Sequence, residues 1–129
     1  MRKIILIIVL LTIPLVCFSQ ESKKQPVYMI IEIEILDNEL YNEYTEKVRP
    51  VVEKYNGRYL VRGGEVTPMS GDWKPERVIV VEFPSYDDLN RCFESQEYKE
   101  IAPLREKSAI GKSIIVEGAV NADLVSAPK

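Results

Sequence analysis

Residues 57–85 read GRYLVRGGEVTPMSGDWKPERVIVVEFPS. Two β-prone runs, Arg58–Val61 and Arg77–Phe83, flank a Gly63-Gly64 pair, a Pro-Met-Ser-Gly turn at 68–71 and Trp73, the one tryptophan of the chain. Apolar runs separated by Gly, Pro and Asp predict a long hairpin with a decorated tip. The glycine pair predicts a bulge, where the backbone bends or is closely approached. It is not a phosphate loop, because the longer glycine pattern and its lysine are both missing.

Working outward, the segment before the hairpin supplies strand then helix. Val27–Leu36 alternates strictly, with Val27, Met29, Ile31, Ile33 and Ile35 on one face and Tyr28, Ile30, Glu32 and Glu34 on the other. Asp37 is a suitable N-cap, and Glu39 favours the first helical turn. Leu40, Tyr44, Val48, Val51 and Tyr55 then recur at helical spacing. Pro50 predicts a kink or a new turn near Arg49, and Asn56-Gly57 predicts a left-handed cap.

The segment after the hairpin supplies helix then strand. Ser85 with Asp88 forms a capping pattern ahead of Leu89, Cys92 and Phe93. Ser95 caps a second piece carrying Tyr98, Ile101 and Leu104, which contains Pro103 and ends at Gly111. Arg105 with Lys107 reads as a solvated helix end. Lys112–Glu117 is the last strand.

The order βαββαβ predicts an α+β, ferredoxin-like sandwich: a four-stranded antiparallel sheet with its helices on one face. The helix-facing set is expected to include Tyr59, Val61, Ile79, Val81, Phe83, Ile114 and Val116 along with the first-strand residues. The other face is expected to carry Leu60, Arg62, Val78, Val80, Glu82, Ser113, Ile115 and Glu117 beside Tyr28, Ile30, Glu32 and Glu34. That face is too apolar for water yet holds charges, which predicts a second copy packed against it around a polar cleft, hence a homodimer.

The ends are read separately. Arg2-Lys3, an apolar run to Val16 and Cys17-Phe18-Ser19 predict a signal peptide over residues 1–19, cleaved after Ser19. Flexible tails are expected over 20–26 and 119–129, with the domain over 27–118. The destination is exported, periplasmic or secreted, with no stable membrane insertion after cleavage.

Cleavage leaves 15 bases against 20 acids, so an acidic product with no basic face is expected not to bind nucleic acid. Cys92 then stands alone and reads as a buried small hydrophobe. The chain has no histidine, which excludes histidine-based triads, dyads and metal or haem ligation. No metal site and no cofactor are expected.

Several blocks resemble the domain-of-unknown-function family DUF1330: GRYLVRGG at 57–64, GDWKPERVIVVEFPS at 71–85, S-x-E-Y at 95–98 and Pro103-Leu104-Arg105. The resemblance runs from about Val27 to Gly118. It implies a dimeric α-β barrel, in which the sheets of two ferredoxin-like subunits face each other. The wider superfamily includes small cofactor-independent monooxygenases, haem-degrading proteins and lactone isomerases, while the family itself has no agreed activity.

The candidate site is the group Glu32, Glu34, Arg62 and Glu82 on the outer sheet face. Crowded carboxylates in a partly dry cleft raise one another's pKa, so Glu32 or Glu82 could serve as a catalytic acid or base. Arg62 could grip an anionic or aromatic small ligand by its planar fork, with Gly63 and Gly64 admitting the ligand to the backbone and Trp73 covering it. An ion-pair network between subunits, with Trp73 as an interface anchor, explains the same residues without chemistry. Two classes remain: a small-molecule-binding or structural dimer, and a cofactor-independent enzyme of monooxygenase or isomerase type using a cleft carboxylate and Arg62.

Overall fold

The computed structural model describes residues 25–119. The expected signal peptide, most of the leading tail and all but the first residue of the trailing tail lie outside them. The elements are β1 (Val27–Ile35), α1 (Asn38–Lys54), β2 (Arg58–Arg62), β3 (Arg77–Phe83), α2 (Tyr86–Glu94), α3 (Gln96–Ser108) and β4 (Ala109–Glu117). The four strands pair antiparallel in the order β2-β3-β1-β4, and the helices cover one face. This is the ferredoxin-like α+β arrangement that the element order predicts.

Local chemistry places each helix. Asp37 accepts from the Leu40 N–H at 3.0 Å, Ser85 from Asp88 at 3.1 Å and Ser95 from Tyr98 at 3.1 Å, so three capping side chains satisfy donors that the first turns leave open. Asn56 takes a positive φ of 66° and closes α1. Gly57 follows because a Cβ there would lie 2.5 Å from Val52 and 2.9 Å from Phe83.

α1 runs as one helix through Pro50, without the new turn that the sequence offers as an alternative to a kink. Pro50 and Glu46 both face solvent, so the carbonyl that loses its helical partner is open to water. The core is Val27, Ile33, Ile79, Val81 and Phe83 from the sheet against Tyr41, Tyr44, Val48, Val52, Leu89 and Cys92 from the helices.

Two register facts overturn the expected sheet faces. First, the bulge lies at Leu60, between Tyr59 and Val61, and not at Gly63-Gly64. Tyr59 pairs with Val81, but Val61 pairs with Val80 and Arg62 with Ile79. One extra residue reverses the parity of everything after it. Val61 therefore turns outward, and Arg62 turns toward the helices.

Second, β4 begins directly after α3 at Ala109, and Gly111 lies within it. Ile114 opposes Ile30 and Val116 opposes Tyr28, so both belong to the outer face. Ser113 and Ile115 take the helix side opposite Ile31 and Met29. Apolar residues stand on both faces of this edge strand, so alternation alone did not fix its parity.

Candidate functional site

The outer face does not assemble the expected cluster. Glu32 pairs with Val78, and Glu82 lies four residues along β3 opposite Tyr28. At strand rise this separates the two carboxylates by about 13 Å. Each has its own partners. Glu32 accepts from Trp73 Nε1 at 3.2 Å and faces Lys112 Nζ at 3.3 Å. Glu82 is bridged by Arg58 at 3.0 Å and interacts with the Tyr28 phenol, whose pKa that hydrogen bond raises. Glu34 lies exposed, opposite Ile110 on β4.

Trp73 is 58% exposed and lies over Ile30, Glu32, Lys112 and Ile114, so the hairpin tip folds back across the outer face. Around it the same face exposes Leu60, Val61, Ile114 and Val116.

Arg62 joins a different group, in a cavity of about 230 Å³ between the sheet and α1 and α3. The sheet builds its floor in rows. The first row sets Arg77 beside Ile33 and Gly111, and the second sets Arg62, Ile79, Ile31 and Ser113. The third sets Tyr59, Val81 and Met29. α1 contributes Tyr41, Tyr44, Thr45, Val48 and Val52, while α3 contributes Tyr98 and Arg105. Phe93 of α2 closes the apolar end and meets Tyr98 edge-on, with ring centroids 4.7 Å apart.

Three guanidiniums thus share one cavity, and its lining residues include no Asp or Glu. Among the described residues Arg62, Arg77 and Arg105 make no ion pair. Arg62 donates to the Thr45 carbonyl at 3.1 Å and lies 5.0 Å from the Tyr59 ring centre. Arg77 lies 5.6 Å from the Tyr41 ring centre, and its Nε is buried without a hydrogen-bond partner. An unmade hydrogen bond of this kind costs about 1–3 kcal/mol. The like charges add mutual repulsion, which a bound anion would relieve.

Two glycines shape this cradle. Gly63 has φ +71°, and a Cβ on it would collide with the Arg77 guanidinium. A Cβ on Gly111 would come within 2.7 Å of Ile33 and 3.2 Å of Arg105 Nη1. Gly63 therefore acts on the pocket by leaving room for Arg77, whereas nothing stands within 4 Å of the Cβ position of Gly64.

The phenols share the field. Burial is the largest influence on Tyr41 and raises its pKa, while Arg77, Arg105 and Arg62 pull it the other way. Burial pushes Tyr59 up to about 12 against a smaller opposing pull from Arg62. Tyr44 is raised as well, by burial first and then by the hydrogen-bonded Tyr98 phenol. All three phenols are thus neutral donors near neutral pH, beside the permanent charges.

Sequence reading missed Arg77, Arg105 and Tyr41. The signal for Arg77 was present: it has the same strand parity as Ile79, Val81 and Phe83. Arg105 stands four residues after Ile101 and seven after Tyr98, on the apolar side of α3 and not on a solvated end. Among the described residues no cluster of His, Cys, Asp or Glu could hold a metal ion, and no helix is long and apolar enough to cross a membrane.

Residues 26–119 match the family model described as Domain of unknown function (DUF1330). No curated protein matches the chain. Among solved structures, a protein of unknown function from Rhodopseudomonas palustris is similar at TM-score 0.65 and 18% identity, over 75% of this chain and 85% of that one. SnoaB, a cofactor-independent oxygenase from Streptomyces nogalater, is similar at TM-score 0.57 and 8% identity, over 75% and 96%. A dimeric protein of unknown function and ferredoxin-like fold from Bacteroides fragilis reaches TM-score 0.51 at 12% identity, over 72% and 96%. At these identities the likeness is one of fold.

Proposed function

The chain belongs to the DUF1330 family, and from that premise we propose that it binds a small organic anion in the cavity between its sheet and its helices. One observation carries the reading: Arg62, Arg77 and Arg105 converge on a largely apolar cavity with no lining carboxylate to neutralise them. A cavity of about 230 Å³ has the volume of about eight waters, which suits a ligand of single-ring size.

Catalysis by Glu32 or Glu82 together with Arg62 has less support. The carboxylates stand on the outer face with partners of their own, and Arg62 stands on the helix face. The likeness to SnoaB supports a fold able to host such chemistry and nothing finer.

The protein works as a homodimer whose sheets face each other. Support comes from the exposed apolar residues Val61, Ile114 and Val116 on the outer face and from the dimeric Bacteroides fragilis protein of similar fold. Residues 1–19 direct export and are removed, a reading supported by their charged start, apolar run and small residues before the cut.

Thermal shift against a panel of organic acids tests the binding reading. Acids should raise the midpoint of the wild type and lose that effect in Arg77→Gln and Arg105→Gln. Acids that stabilise wild type and both variants equally would remove the cavity as their site.

A further inference from the structure

Resting on the anion-binding reading, we infer that the ligand is a single-ring aromatic monocarboxylate lying along the strands, acid group toward Arg77 and ring toward Met29. The polarity of the cavity along the strand axis carries this. Arg77 and Arg62 occupy the first two rows of the floor, and Arg105 approaches the first row at Gly111. The third row is Tyr59, Val81 and Met29, roofed by Val52, Phe93 and Tyr98.

Successive rows on one face of a strand are about 6.8 Å apart. A carboxylate between the first two rows lies about 10 Å short of the third, so a ring joined through one or two carbons sits over the second row with its far edge toward the third. That edge is turned toward Tyr59, Phe93 and Tyr98, whose faces and edges suit an aromatic partner.

The head group follows from the donors. Guanidinium forks match a planar carboxylate in bidentate fashion. A phosphate would gain from free helix N-terminal amides, but at the arginine end the N-terminus of α1 is already capped by Asp37 and followed by Glu39.

The chain provides its own reporter, because Met29 lines the ring end of the cavity while Met69 is fully exposed on the hairpin. With the full chain labelled by ¹³C-methyl methionine, phenylacetate, 3-phenylpropionate, hexanoate, phenylacetamide, phenyl phosphate and inorganic phosphate are titrated in turn. Phenylacetate or 3-phenylpropionate should saturate and move the Met29 methyl by ring current, with Met69 unmoved. Phenylacetamide should fail to bind, and Arg77→Gln should weaken the aromatic acids about tenfold or more, as loss of a charge-assisted hydrogen bond requires.

Binding of hexanoate or a phosphate in preference to both aromatic acids would overturn the ligand class and leave the anion site standing. Binding of the aromatic acids without a Met29 shift would overturn the orientation. No binding by any member of the panel would overturn this inference and the anion-binding reading together.

Discussion

Gly63 and Gly71 share a φ of +71° but differ in surroundings, which makes them a matched pair. Alanine at either site must hold a left-handed backbone, at about 1–2 kcal/mol. At Gly71 nothing stands within 4 Å of the new methyl, so the backbone term is the whole effect. At Gly63 the methyl also meets Nη1 of Arg77 at 2.6 Å and Nη2 at 2.5 Å. The guanidinium is the far end of a flexible side chain, so it moves aside and adds little to the loss of stability. It does leave its place in the cavity.

Urea unfolding should therefore show both variants losing about 1–2 kcal/mol. Affinity for an aromatic acid should fall about tenfold in Gly63→Ala alone, because only that variant displaces a charge-assisted partner. Equal affinity in the two variants would refute the claim that Gly63 seats Arg77. A far greater loss of stability at Gly63 would refute the claim that Arg77 yields freely.

Three further outcomes are expected. In alkali, Tyr59 has its folded pKa raised to about 12 from 10.0, so its unfolded form loses the proton first. Its contribution is intact below pH 10 and lost as pH rises toward 12, and Tyr59→Phe should make the fall in that window shallower in pH-dependent urea unfolding, with Tyr41 and Tyr44 keeping the remainder. For assembly, sedimentation should give twice the monomer mass for wild type and the monomer for Val80→Asp, because a carboxylate buried unpaired between the facing sheets costs several kcal/mol, on the order of 3–5. A monomeric wild type would sink the dimer. For export, intact mass of the exported fraction should lack residues 1–19, and a mass retaining them would end that reading.

How much the sequence revealed depended on how each element is specified. β1 alternates over nine residues with no competing pattern, so its faces were legible. The helices announced themselves through Asp37, Ser85 and Ser95, whose side chains do what their positions predict. β2 is five residues with a bulge at Leu60, and nothing in Arg-Tyr-Leu-Val-Arg marks which residue is extra. That single unmarked residue sent Arg62 to the opposite face and dissolved the expected group with Glu32 and Glu82.

The glycine pair misled for a related reason. Gly63 serves the neighbouring Arg77 side chain, a tertiary demand that local turn chemistry cannot express. Arg77 and Arg105 have apolar-face parity on their own elements, which normally argues against charge. Only the assembled cavity shows that the two violations and Arg62 meet.

The most direct test is a crystal structure of the full chain grown with phenylacetate at a concentration shown to saturate it. The account predicts ligand density in the cavity between sheet and helices. Its carboxylate oxygens should lie about 2.7–3.0 Å from nitrogens of at least two of Arg62, Arg77 and Arg105. Density instead on the outer face beside Trp73 and Glu32, or an empty cavity at saturation, would contradict it.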